Sequence, residues 1–142
     1  RIGAIIETPG FLAHYSGLRN LKLLAGVSHK ADEARARAVM KMVKLDPDNK
    51  KTVGQYSLGM RQRLGIAQAI MEDPQLLILD EPFNGLDQDG IHEIHDLFQK
   101  LKSQGKTILL ASHSASDISR ACDEVFEIKD GVLEKIPKKD SK

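Results

Sequence analysis

The sequence predicts an α/β fold in which a parallel β-sheet is flanked by helices, with a helical segment inserted between strands and a hairpin near the end. Three observations carry that prediction. Two continuous apolar runs, "LLILD" at 76–80 and "TILLAS" at 107–112, are each followed by a helical pattern, as expected of parallel strands covered on both faces. The stretch from Phe11 to about Gln55 has helical rather than alternating periodicity. Finally, "EVFEIKDGVLEKI" sets Asp130–Gly131 between two short strand-like runs, a two-residue turn signal.

Composition bounds the answer. The chain has 142 residues, of which 41% are hydrophobic and 29% charged, the balance of one soluble globular domain. A formal net charge of +1 supplies no basic field for nucleic acid. No apolar run approaches the length of a membrane span. The single cysteine, Cys122, excludes an internal disulfide and suits a reducing cytosol. The chain opens at Arg1 directly into "IGAII", so it is expected to be part of a larger protein.

Taken in order, "RIGAII" reads as a short buried strand, and Pro9 and Gly10 break the chain after it. Ser16 is placed to cap a helix carrying Leu18, Leu21 and Leu24–Ala25, which Gly26 ends. Asp32 and Glu33 occupy the first turn of a second helix, with Lys41 and Lys44 in its last turn to suit the helix dipole. Ala38, Met42 and Leu45 form its expected apolar stripe. After a polar connector, a third helix runs from Ser57 to about Glu72, and Pro74 marks the turn into "LLILD". A fourth helix carries Ile91, Ile94, Leu97, Phe98 and Leu101 at helical spacing. "KTILLASH" reads as another buried strand, "ASDISRAC" as a short helix, and "PKKDSK" as a frayed tail.

Ligands of open parallel sheets gather beyond the carboxyl ends of the strands, and "LLILDE" puts Asp80 and Glu81 at that edge. One carboxylate there can hold Mg²⁺, directly or through water, while its neighbour polarises an attacking water. Such a strand end is common in α/β proteins, and the acids could simply cap a following turn. Further features gather around them. "EPFNGLD" adds a Pro, an Asn–Gly turn and a third acid, Asp87. "SLGMRQRLGIAQA" begins with a serine suited to N-capping, and Gly59 permits close approach to a helix N-terminus able to receive an anion. The next strand delivers His113 to the same edge.

Together, "YSLGMRQRLGIAQAI", "LLILDEPFNGLD" and "LLASH" resemble the ATP-binding cassette ATPases, the motor subunits of ABC transporters. They match in order and spacing the signature, Walker B, D-loop and switch-histidine motifs of that family, and the resemblance covers essentially the whole chain. The fold it implies is a truncated P-loop NTPase-like sheet. The chain is most similar to bacterial exporters of antibiotic peptides and lantibiotics, and of bacitracin-type drugs. Glu7 stands where most relatives carry a glutamine, a replacement known in the lantibiotic-type subgroup. The implied divisions are 1–10 for a strand and the glutamine-loop equivalent, 11–55 for a helical subdomain, 56–136 for the catalytic core and 137–142 for a tail.

The resemblance further implies a head-to-tail dimer with ATP between subunits. Ser57 and Gly59 would touch the γ-phosphate held by the partner, Asp80 would hold Mg²⁺ through its water shell, and Glu81 would polarise the attacking water. His113 would contact the γ-phosphate, Asp87 would link the two sites, and Glu7 would report their state to the helical subdomain. Leu58 and Met60 depart from the commonest signature, which has Gly and Gln there, but leave the backbone donors in place. Membrane permease subunits are the other implied partners, at the cytoplasmic face of the cell membrane; nucleic acid is not among them. Relatives acting in DNA repair or translation, or a non-catalytic binding fragment, are the alternatives.

A phosphate loop, G-x-x-x-x-G-K-[ST], is not found. The near match at Gly105–Lys106–Thr107 has Lys100 where glycine is needed and runs from helix into strand, so it reads as a helix C-cap. In "HEIHD", His92 and His95 are wrongly spaced for a zinc protease. The loop is therefore expected upstream of Arg1. The chain by itself is expected to hydrolyse no ATP and, with part of its sheet unpaired, to self-associate.

Overall fold

In a computed structural model of the chain, residues 2–5, 11–24, 30–71, 73–112, 125–129 and 132–136 are described. Strand β1 (Ile2–Ile5) is followed by helices α1 (Gly17–Leu24) and α2 (Lys30–Met42), a 3₁₀ turn at Val53–Gln55, and helix α3 (Leu58–Ile70). Then come β2 (Leu76–Asp80), α4 (Gln88–Ser103), β3 (Thr107–Ala111) and the pair β4 (Val125–Lys129) and β5 (Val132–Ile136). The first three strands form a parallel sheet in the order β1-β2-β3. The last two pair antiparallel as expected, with Lys129 opposite Val132; Asp130 and Gly131, read as the turn, lie outside the described residues. The stretch read as "ASDISRAC" lies outside the described residues.

The register decides what the sheet presents. Leu79 lies between Ile5 and Leu110, and Asp80 pairs with Ala111, so the three strands end together at one edge. Leu77 and Leu79 are buried, with Ile108 and Leu110 beside them on the same face. Helix α3 packs on β1 and β2, and α4 on β3. Leu64, Ile66 and Ile70 of α3 join Ile94, Leu97, Phe98 and Leu101 of α4 in one core. There the rings of Phe83 and Phe98 meet tilted, 5.8 Å apart. On the opposite face Leu109 is 56% exposed, and residues 113–124, which follow β3, lie outside the described residues.

Helix ends follow local chemistry. Ser16 accepts the Arg19 N–H at 3.2 Å and so caps α1. Two details of α2 differ from the sequence expectation. Its buried stripe is Ala36, Val39, Met40 and Val43, with Leu45 just beyond, whereas Ala38 is exposed and Met42 half-buried. Lys44 does not belong to the last turn, because it takes a left-handed conformation with φ 63°. The bonds from Lys44 N–H to Lys41 O and from Leu45 N–H to Met40 O complete a Schellman end around it. Of the two lysines, Lys41 alone faces the dipole.

Tertiary contacts tie the helices to one another. From α2, Arg35 donates to the carbonyls of Met71 (3.0 Å) and Ile70 (2.8 Å), supplying a cation to the C-terminal end of α3. Lys106, buried beneath the α4–β3 junction, meets the Asp73 carboxylate and carbonyl. That bond and the lysine's charge hold the Asp73 carboxyl below its ordinary range. Its folded value being depressed, the pair contributes fully above the unfolded-state value of about 4 and is lost as pH falls through the lower folded one. Asp73→Asn is therefore expected to lower resistance to urea at pH 7, with the gap closing in acid. A gap that stays constant into acid would show that the carboxylate charge plays no part.

Candidate active site

Helix α3 opens the site. Ser57 is extended (φ −64°, ψ 165°), and its Oγ accepts the Met60 N–H at 3.1 Å, while the Arg61 N–H goes to the Ser57 carbonyl. The Arg61 bond is the first of the helical ladder, so of the four N–H groups left over at any helix start the serine side chain satisfies one, that of Met60. Those of Leu58 and Gly59 find no acceptor among the described residues and stand at an exposed end. Gly59 has a second duty that its sequence did not disclose. A Cβ there would lie 2.9 Å from the carbonyl of Gly85, so the first turn of α3 rests on the Asn84–Gly85 turn. Gly85 reciprocates, since at φ 80° its missing Cβ makes room for Leu58.

Strand β2 delivers the acids. Asp80 is exposed at the sheet edge. Glu81 leaves the strand in a left-handed conformation, φ 49°, which is uncommon for any residue with a Cβ and is held only when its surroundings demand it. Hydrogen bonds to described residues on three sides do so. Its N–H donates to Ala111 O at 2.7 Å, continuing the ladder by one step. Its carbonyl accepts from Gln62 Nε2 at 2.8 Å and from the Asn84 N–H at 3.1 Å. Its Oε2 accepts from Ser112 Oγ at 3.3 Å. Gln62 and Ser112 were missed by sequence reading. The available signals were a polar residue one turn beyond Gly59 on a mostly buried helix, and a hydroxyl one step past the partner of Asp80.

Asp87 also has a structural role, because its Oδ1 accepts the Gly90 N–H at 2.8 Å and caps α4. The structure thus brings Ser57, Gly59, Asp80, Glu81 and the turn leading to Asp87 to one region. Glu7 and His113 lie outside the described residues, although the strands that precede them both end beside the end of β2.

The donor set suits Mg²⁺. This ion takes one or two carboxylates and completes its octahedron with waters and phosphate oxygens, which two adjacent acids at an open edge can satisfy. Among the described residues no cluster of three or more His, Cys, Asp or Glu could cage a metal by itself. Both decoys resolve as read. Gly105 is a left-handed helix end at φ 88°, with its N–H on Lys102 O and that of Lys106 on Leu101 O, while the Lys106 ammonium is engaged by Asp73. His92 is exposed and His95 half-buried along α4.

Comparison with known proteins identifies the family and the fold. The family profile described as "ABC transporter" matches residues 1–84. The bacitracin transport ATP-binding protein BcrA of Enterococcus faecalis is 43% identical over 134 residues, covering 94% of this chain and 44% of that protein. The lantibiotic transport ATP-binding protein SrtF of Streptococcus pyogenes is 41% identical over 140 residues, covering 95% of this chain and 59% of SrtF. Among solved structures, the dimeric post-hydrolysis state of the ATP-binding cassette MJ0796 bound to ADP and Pi superposes with a TM-score of 0.81 at 25% identity. That match covers 95% of this chain and 62% of the other. The chain therefore spans only part of the length of these relatives.

Proposed function

The chain belongs to the ABC transporter family, and from that membership we propose that it forms part of the ATP-hydrolysing motor subunit of a bacterial exporter of peptide antibiotics or bacitracin-type drugs. The observation that carries the proposal is the pair Asp80–Glu81 at the sheet edge, with Glu81 held left-handed beside the start of α3. Phosphoryl transfer is catalysed mainly by positioning and charge neutralisation, and an edge of fixed carboxylates next to a capped helix start supplies both.

In this reading Asp80 holds Mg²⁺ through water, and bound Mg²⁺ supplies neutralisation of phosphate charge. Glu81 takes the proton of the attacking water, and His113 faces the γ-phosphate. Ser57, whose oxygen already receives Met60 N–H, turns its hydroxyl hydrogen outward. With the N–H groups of Leu58 and Gly59 it meets a phosphate held by a second ATPase subunit. Asp87, fixed by its cap, lies between the two sites, and Glu7 couples them to the helical subdomain of residues 11–55. A head-to-tail dimer, membrane permease subunits and a place at the cytoplasmic face of the membrane follow from this reading. The dimeric state named for MJ0796 and the transport names of BcrA and SrtF support it. Among the described residues β3 pairs with β2 alone, and this and the exposed Leu109 likewise support self-association of this chain when taken alone.

Steady-state hydrolysis by the intact protein tests the proposal. We expect ATP turnover that requires Mg²⁺ and falls to background on chelation, with ATP binding measurable by fluorescence. An intact protein that neither binds nor hydrolyses ATP would overturn it.

A further inference from the structure

Gly59, Gln62 and Arg63 stand at i, i+3 and i+4 on α3, one face of the helix. Each meets a different part of the segment that follows β2. Gly59 leaves space for Gly85 O. Gln62 Nε2 donates to Glu81 O at 2.8 Å. Arg63 Nη1 reaches both Glu93 Oε2 (2.8 Å) and Val43 O (3.0 Å), and Gly90 lacks the Cβ that would come within 2.8 Å of its Nη2. The middle contact is the one that touches the reacting group's own backbone. An extended Glu81 would send its side chain to the sheet face opposite Asp80, because successive strand residues alternate. The left-handed φ of 49° breaks that alternation. The ladder bond to Ala111 O secures the Glu81 N–H, whereas the Glu81 carbonyl depends on Gln62 and on the turn bond from Asn84.

We propose that Gln62 is a positioning residue for hydrolysis: by holding the Glu81 carbonyl it maintains the left-handed backbone that aims the Glu81 carboxylate. This rests on the reading of Glu81 as the base. It also gives α3 two roles. The helix begins at Ser57, where the partner's phosphate is to be received, and one turn later grips the residue that activates water in this chain's own site. A shift of α3 on closure of the partner's nucleotide is thereby transmitted to Glu81 through the Gln62 amide.

The test uses the intact protein with three variants. Gln62→Leu removes the donor at similar volume and is expected to lower kcat about tenfold while KM for ATP stays within about twofold. Hydrogen exchange across residues 81–86 is expected to accelerate. Gln62→Glu is expected to behave like the leucine variant at neutral pH, where a carboxylate cannot donate. Its activity relative to wild type should recover as the pH is lowered, because the protonated carboxyl can again donate to the Glu81 carbonyl; the leucine variant should show no such recovery. Glu81→Gln reports whether Glu81 is the base at all. If Glu81→Gln abolishes turnover but Gln62→Leu keeps kcat within about twofold, or leaves exchange at the turn unchanged, the proposal is overturned. A wild-type protein without ATPase activity overturns the functional reading instead. Exchange at the turn then decides the claim for Gln62 alone, faster exchange supporting it and unchanged exchange overturning it.

Discussion

Glu81→Gln is expected to cut ATP turnover by the intact protein about 10²- to 10⁴-fold, the range typical of losing a general base, while ATP binding persists. The expectation comes from what the substitution leaves alone. Three of the hydrogen bonds that hold residue 81 use its backbone, namely those with Ala111, Gln62 and Asn84. The amide of glutamine can also still accept from Ser112 Oγ, which lies 3.3 Å from the carboxylate. Size and placement therefore survive, and what disappears is an oxygen able to take a proton. Single-turnover hydrolysis, read beside binding of a fluorescent ATP analogue, separates the two. Turnover within about tenfold of wild type would remove Glu81 from the role of base.

Asn20→Leu is expected to destabilise the protein by about 3 kcal/mol, the sum of several stranded buried groups. Asn20 is fully buried on α1. Its Oδ1 accepts the Leu12 N–H at 2.7 Å, and its Nδ2 faces the carbonyls of Leu12, Tyr15 and Ser16. One amide thus folds the loop 12–16 onto the helix start. The same loop receives Val53 N–H on Tyr15 O and Gly54 N–H on Ala13 O, so it also seats the segment leading into α3. Leucine keeps the number and branching of side-chain heavy atoms and opens no cavity, so the loss should not report a void. Asn20→Asp sharpens the test, since it keeps the acceptor for Leu12 but turns a negative oxygen towards three carbonyls. Urea unfolding should place it at least as low as the leucine variant at pH 7, with partial recovery in acid. A loss below about 1 kcal/mol for Asn20→Leu would show that water can satisfy this loop.

Much of the architecture was legible because its causes are local. Ser16, Ser57 and Asp87 act over three residues, the reach of a helix cap. The Gly105 helix end is settled by bonds within six residues. Apolar runs announced β2 and β3, and helical spacing announced α4. Errors arose where a local pattern had near-equivalent registers. On α2, apolar residues occupy neighbouring positions from Ala34 to Val43, so choosing Ala38 and Met42 over Val39 and Met40 needed the packing partner.

For this protein, sequence alone determined the order of elements, the parallel sheet, the edge that carries Asp80 and Glu81, and the family motifs around them. Periodicity, capping and strand polarity are properties of neighbouring residues, which a chain cannot conceal. Tertiary structure decided the rest. That Gln62 holds Glu81 across 19 residues, and Ser112 meets it across 31, depends on how α3 and β3 pack against β2. The left-handed turn at Glu81 and the contact of Gly59 with Gly85 likewise arise only when distant segments meet. No short-range pattern encodes such contacts, because their energy comes from groups that the sequence separates and the fold brings together.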